Sequence, residues 1–412
     1  MTTCRFLEHL SLGSLIAPFP EQDFRTNYWE QQPLIVLRHD RDFYGDLLTL
    51  EDFDAAIARA PDHVNTANAG ANRKATTYRG TTARGIQSVL GDMRNGHTLM
   101  LDRMNEHEPK LGLFCRLLGP ELGRSFQTNV YLTPPHGQGY RPHWDNHEVF
   151  ILQAMGSKRW KIEKTRRAVP GLGDRMGEDG RELQGEIHSF TLKQGDLIYI
   201  PRGFVHAAEC GEDLSLHITF GIRPFFLEEL LAAAIKSAVQ RDERWRAGLP
   251  LGFMSGPRER VVQRAVAALR EIGDEAFLST VVDRFREELV ETFPLDVSGQ
   301  VVDFFQPAPI ELDDTVGPRQ GIVYQLHVDS DSVRLTYGAR TILFRNFFQE
   351  ALIFCLKTRC FVVREVPGEL REEERVALIE RLMQEGLVVR MQDHEAQAVS
   401  TEHGSAASLE TE

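Results

Sequence analysis

The chain has 412 residues, enough for two or three domains, and its 42% hydrophobic and 26% charged residues are those of an ordinary globular protein. A formal net charge of -13 argues against broad nucleic-acid binding, which needs a concentrated basic surface, and suits a basic partner instead. The cysteines Cys4, Cys115, Cys210, Cys355 and Cys360 form no CxxC pair, and the chain shows neither a basic leader before an apolar run nor an apolar span of about eighteen residues, so disulfides, zinc knuckles and membrane insertion are not expected and the cytoplasm is the expected location.

To about residue 125, short helical patterns alternate with extended pieces. Leu48 to Ala60 has apolar positions at helical spacing, and Thr49 is a plausible helix start. From Phe126 to Pro224 the texture changes to short apolar runs punctuated by Pro and Gly: 128–133, 149–153, 159–162, 189–192, 197–200 and 214–220. Such spacing predicts an all-β sandwich or barrel. Lys164 to Glu186 is rich in Gly and charge and reads as a long loop. After Pro224 helical patterns follow at 225–235, 258–269 and 276–289, predicting a bundle over 225–292. Residues 293–392 mix strands with short helices and read as a small, winged-helix-like unit. Residues 393–412 are small, polar and unpatterned, which predicts disorder.

Chemistry concentrates in Arg141-Pro-His-Trp-Asp-Asn-His-Glu-Val-Phe-Ile-Leu-Gln153 and Gly195-Asp-Leu-Ile-Tyr-Ile-Pro-Arg-Gly-Phe-Val-His206. His143 and Asp145, two apart in an extended segment, project to one face while Trp144 points to the other. A lone His-x-Asp is more often a surface pair than a metal site. His206, arriving after a strand and a Pro/Gly turn, supplies a third group, and two histidines with one carboxylate suit non-haem Fe(II) with open positions for ligands.

Gly195, Pro201 and His206 fit G-x5-P-x4-H, the second half of the cupin signature. On these motifs, residues 126–224 resemble the JmjC oxygenases, cupin-type enzymes that use Fe(II), 2-oxoglutarate and dioxygen. The resemblance implies an α+β chain: a double-stranded β-helix (cupin/JmjC jelly roll) within residues 1–224, then the helical bundle and the winged-helix-like domain. It implies His143, Asp145 and His206 as the metal ligands. It puts Lys158 where the family grips the distal carboxylate of 2-oxoglutarate, with Arg159 as the local competitor and a solvated lysine at a strand end as the ordinary alternative. Asn129 and Tyr131, two apart on one strand, match positions lining the cosubstrate pocket, and His217 matches one behind the metal; otherwise Tyr131 would be a core aromatic and His217 a buried, hydrogen-bonded imidazole. Glu148 falls near the fourth-ligand position of the wider cupin signature, which the JmjC pattern does not use. His147 is given a substrate-side or surface role, and His136 and His188 read as loop histidines.

The domain order resembles the ribosomal oxygenases and their bacterial relatives. That implies a homodimer through the bundle and hydroxylation of an arginine or histidine side chain in a protein or peptide, here a basic ribosomal protein drawn by the acidic chain. Lysine demethylation, or hydroxylation of a small molecule or peptide natural product, shares the metal chemistry. A metal-binding cupin that is not an oxygenase, for instance an isomerase using Glu148 as a ligand, is a separate alternative that iron- and 2-oxoglutarate-dependent succinate release would exclude. A ligand-sensing transcription regulator predicts a basic recognition helix, whereas residues 367–396 carry eight Asp/Glu against four Arg and no Lys, so direct DNA binding is not expected.

Overall fold

Short apolar runs after Phe126 make strands, and those at 149–152 and 197–200 are continuously apolar because both of their faces are buried. A computed structural model describes residues 4–59, 63–68, 73–77, 83–165, 169–174, 183, 187–306 and 308–391. The tail from residue 393 and much of the 164–186 segment lie outside them. By its internal packing the chain divides into two units, residues 1–285 and 286–412. Among the described residues no helix is long and apolar enough to cross a membrane.

In the first unit, strands β1 (Leu34–Val36), β2 (Val64–Asn68), β3 (Arg73–Thr77), β4 (Thr98–Leu101), β5 (Gln127–Thr133), β6 (Glu148–Glu163), β7 (Ile187–Lys193), β8 (Leu197–Ile200), β9 (His206–Glu209) and β10 (Ser215–Ile222) pair in the order β1-β8-β6-β10-β5-β4-β2-β3, with β7 and β9 also on β6. The pairing of β6 changes along its length. Its first part lies between β8 and β10, and the part from Ser157 to Glu163 lies between β7 and β9. The two runs that the sequence presents as separate strands are therefore one strand that bends from one sheet into the other. The bend falls at Gly156, whose φ is +66° and where a Cβ would lie 1.9 Å from the Leu214 carbonyl oxygen. Just before it the register against β10 slips, Leu216 facing Met155 but His217 facing Gln153, so Ala154 is an extra residue, a bulge.

The sheet's outer face carries Phe150, Tyr199, Val130, Ile218 and Phe220, packed with Phe24 and Phe114. Phe220 stacks between Phe126 at 4.8 Å and Phe150 at 4.9 Å, and burying each such ring is worth roughly 1.5–3 kcal/mol. The helix Leu50–Arg59 on this side starts at Thr49, whose hydroxyl accepts from the Asp52 amide at 3.1 Å while Asp52 accepts from the Thr49 amide at 3.0 Å. The inner face holds a separate apolar cluster of Val149, Ile151, Trp160, Ile162, Leu192 and Ile198. The helices Leu227–Arg241, Arg258–Ile272 and Glu275–Val290 follow β10.

The second unit has its own core, including Val316, Leu335, Tyr337, Leu352, Cys355, Ile379 and Leu382. Its strands form two three-stranded sheets, one joining Phe361–Val362, Thr315–Pro318 and Val388–Arg390 and the other Tyr324–Val328, Ser332–Tyr337 and Arg340–Arg345, and its longer helices are Gln349–Lys357 and Glu372–Gln384.

Gly195 makes the turn into β8 at φ +94°, and a Cβ there would lie 1.8 Å from the Asp40 carbonyl oxygen. Gly195→Ala should lower stability by about 2–4 kcal/mol, the sum of left-handed strain and backbone displacement. A urea-unfolding midpoint equal to that of the unsubstituted chain would show that the turn tolerates a side chain.

Candidate active site

His143 and Asp145 sit on an irregular stretch leading into β6, not in a regular strand. It is tied across the interior by amide-to-carbonyl hydrogen bonds between His143 and His206, 3.1 Å one way and 2.9 Å the other. His206 opens β9. The ligand-capable atoms of His143, Asp145 and His206 all lie within 4.8 Å of one another, forming a group that could hold a metal ion. His143 Nε2 is 4.0 Å from Asp145 Oδ1, and His206 Nε2 is 3.6 Å from Asp145 Oδ2.

The backbone also sets the tautomers. His143 Nδ1–H donates to the Arg141 carbonyl at 2.8 Å and His206 Nδ1–H to the Phe204 carbonyl at 3.1 Å, so both Nε2 lone pairs are free to face a metal. Burial, with the neighbouring His143 imidazole, pushes the His206 pKa down to about 4 and keeps the ring neutral. Burial alone would raise Asp145, but the imidazoles of His206, His143 and His147 outweigh it and hold its carboxyl below the ordinary value. The group thus has the charge state a divalent cation needs.

Residues facing the same interior follow from strand register. His217 lies opposite Tyr131 and Thr219 opposite Asn129, so Asn129, Tyr131, Thr133 and His217 share a face. Tyr131 and His217 stack with ring centres 4.9 Å apart. Lys158 is buried, and its Nζ donates to Thr133 Oγ1 at 2.8 Å, while Thr133 Oγ1 lies 3.0 Å from Thr98 Oγ1. Burial lowers the Lys158 pKa to about 8. Arg159 points outward, exposed, toward Ser189 and Glu209. The bulge decides between the two. Val149, Ile151 and Gln153 face inward, so plain alternation would bring Arg159 in, and the extra residue at Ala154 brings Lys158 in instead.

Trp160, two residues beyond Lys158, has its ring centre 6.2 Å from that of His206 and 5.9 Å from that of His217. Among the described residues, Trp160 Nε1 and His217 Nδ1 are buried without a hydrogen-bond partner. Buried polar atoms left unpaired beside a buried cation are what a small anionic ligand would satisfy. Thr133 and Trp160 were not singled out in the sequence; the signal available was position, each being two residues along the strand from a candidate on the same face.

Glu148 is not in the ligand group. It is fully buried, accepts a hydrogen bond from the Tyr199 hydroxyl, and pairs with Arg202 Nη1 at 2.7 Å. The reading that made it a fourth ligand does not match that placement. His147 lies against the Gly221 backbone, 2.6 Å from where a Cβ would be. His136 is exposed beside Glu212 at 3.5 Å, and His188 is exposed on β7.

A family model described as the JmjC domain matches residues 118–230. The chain is 32% identical over 303 residues to chicken (Gallus gallus) ribosomal oxygenase 1, covering 69% of this chain and 48% of that protein. It is 30% identical over 261 residues to the bifunctional lysine-specific demethylase and histidyl-hydroxylase NO66 of Drosophila grimshawi, covering 58% and 35%. The chain thus spans about half or less of the length of these curated relatives. In fold it is similar to the ribosomal oxygenase YcfD of Escherichia coli, solved in complex with cobalt and 2-oxoglutarate, with a TM-score of 0.53, 16% identity and coverage of 90% of this chain and 98% of that one. The first unit accordingly has the JmjC/cupin β-sandwich fold with added helices.

Proposed function

We propose, from the premise that this chain belongs to the JmjC-domain oxygenases, that it hydroxylates a side chain of a basic protein, with Fe(II) as resident metal and 2-oxoglutarate as cosubstrate. One observation carries this reading. The group His143, Asp145 and His206 lies in the same interior as the buried cation of Lys158, giving one place for a metal and another for a distant carboxylate. When bound, Fe(II) with 2-oxoglutarate and dioxygen supplies the oxidation that turns a substrate C–H into C–OH, with succinate and carbon dioxide as co-products. The chain's part is positioning and the exclusion of water. His143 and His206 would present Nε2 atoms, Asp145 a carboxylate, and Lys158 and Thr133 a charged and a neutral donor for the far carboxylate. Trp160 Nε1 and His217 are available to the remaining ligand oxygens. No residue has to act as a general base.

The acidic balance of the chain and one further carboxylate support a basic substrate. Met100 lies opposite Tyr131, so Asp102, two residues on, extends the interior face and holds the Asn65 amide. Burial raises its pKa, which makes a cationic side chain a favourable partner. An arginine or histidine of a ribosomal protein is the substrate we propose, by analogy with the ribosomal oxygenases named above. Similarity to a bifunctional demethylase keeps lysine demethylation as the second reading.

We further propose a cytoplasmic homodimer joined through residues 225–292, where Leu231, Ile235, Leu251, Met254, Val262 and Leu269 expose apolar side chains. The unit after it is read as winged-helix-like, without a DNA-binding role.

The decisive measurement incubates the chain with Fe(II), 2-oxoglutarate and basic proteins from cells lacking it, then compares masses. Succinate release coupled to a gain of about 16 Da on an arginine or histidine is the expected result. A loss of about 14 Da from lysine would replace the first reading by the second, and an absence of succinate would overturn both.

A further inference from the structure

We infer that Arg202, together with Glu148, is a positioning element for the metal group, an inference that rests on the metal reading above. Glu148 stands three residues after Asp145, and Arg202 four before His206, so each is tethered by a short segment to one ligand. The two meet in the interior of the first unit, Arg202 Nη1 lying 2.7 Å from Glu148 Oε1, with the Tyr199 hydroxyl bound to the other carboxylate oxygen. Both side chains are almost fully buried.

The guanidinium uses the rest of its fork on other segments. Nη1 also pairs with Glu30, Nε donates to the Pro170 carbonyl at 3.1 Å, and the group lies 5.1 Å from the centre of the Phe226 ring. The Glu30 amide in turn donates to the Tyr199 oxygen at 2.8 Å, from a residue held at φ +60°. Arg202 therefore gathers the N-terminal extension, the stretch at Pro170, the start of the first helix after β10 and the strand leaving Asp145. The next residue completes the link, since the Gly203 amide donates to the carbonyl of Asp145 at 2.9 Å.

A planar, permanently charged fork is suited to this, and an ammonium is not. Burying an ion pair stabilises a fold little compared with well-packed apolar groups, because desolvation offsets the attraction. What it adds is one geometry. The turn Pro201-Arg-Gly203 can hold His206 and Asp145 at a fixed separation only if its arginine has a single seat. Among the described residues, the charges that face Arg202 are Glu148 and Glu30, and none of the ligand atoms is among its partners, so it acts through the turn.

The test is Co(II) binding to the full-length chain, followed by visible absorption, with folding checked by circular dichroism. Arg202→Met should weaken Co(II) binding by about tenfold or more and alter the ligand-field bands, in line with the effect of losing outer-shell partners elsewhere. Glu148→Gln should do likewise, and Arg202→Lys should fall between. Arg124, which pairs with Glu229 at 2.8 Å and covers the Phe225 ring at 3.8 Å, is the control for a merely structural ion pair. Arg124→Met should lower the melting temperature and leave Co(II) affinity and spectrum unchanged. A folded Arg202→Met chain with unchanged affinity and spectrum would overturn the inference; should that variant not fold, the same outcome in Arg202→Lys overturns it. Failure of the unsubstituted chain to bind Co(II) would instead remove the metal reading, and this inference with it.

Discussion

Replacing Asp145 by alanine is expected to abolish 2-oxoglutarate turnover and weaken metal binding by more than about a hundredfold, since even partners outside the first ligands are worth about 10–100-fold. The carboxylate is the only anionic member of the group, and it lies within 3.6–4.0 Å of both imidazole Nε2 atoms. Without it the two imidazoles would face a divalent cation with no anionic ligand to offset its charge. The fold should persist, because the Asp145 carbonyl still accepts from Gly203 and the apolar cluster around Val149 and Ile151 is untouched. Iron titration and succinate release are the measurements; unchanged succinate output from the variant would refute the assignment of this residue. His206 adds a pH signature to the metal-free chain. Its folded pKa of about 4 lies below the unfolded value of about 6.5, so the unfolded chain binds more protons between them. This contribution to stability is present above about pH 6.5 and is lost as pH falls toward 4.

Lys158→Ala is expected to raise the KM for 2-oxoglutarate with little loss of metal affinity. Truncating one partner of a buried charged pair costs about 2–4 kcal/mol, which is roughly 30- to 900-fold in affinity. Lys158 is separated from the metal group by its place beyond the bend in β6, and among the described residues its one hydrogen-bond partner is Thr133, not a ligand. Since the free ammonium has its pKa lowered to about 8, 2-oxoglutarate affinity in the unsubstituted chain should be level below that pH and fall about tenfold per unit above it. The alanine variant should show no such break. Equal losses of iron and 2-oxoglutarate binding, or a pH break that survives the substitution, would place Lys158 outside the cosubstrate site.

These expectations show what the sequence could and could not display. The shared face of Asn129 and Tyr131 was legible, because two-residue alternation on a strand needs no tertiary knowledge. The inward turn of Lys158 was not legible from alternation. It came from the family resemblance, and the physical cause, an extra residue at Ala154, leaves no mark in the residue types around it. The runs 149–153 and 159–162 read as two strands; Gly156 between them lets one strand cross from sheet to sheet. The ligand stretch was expected to be a regular strand, but Pro142 and the cross-interior bridge to His206 leave it irregular. Arg202 and Glu148 are 54 residues apart, and nothing in either neighbourhood announces a partner. Trp160 carried no mark beyond its place in an apolar run; its ring belongs to the inner apolar cluster, while its N–H has no hydrogen-bond partner among the described residues.

The continuity of β6 has a consequence for cosubstrate choice. Its near end receives the chain directly from Asp145, Lys158 lies just beyond the bend, and the bend needs glycine, because a side chain at Gly156 would meet the Leu214 carbonyl. The strand then works as a calliper with locked jaws. If Lys158 anchors the far carboxylate as proposed, main-chain geometry sets the span, so substitutions lining the pocket should change how tightly a dicarboxylate is held far more readily than which length is accepted.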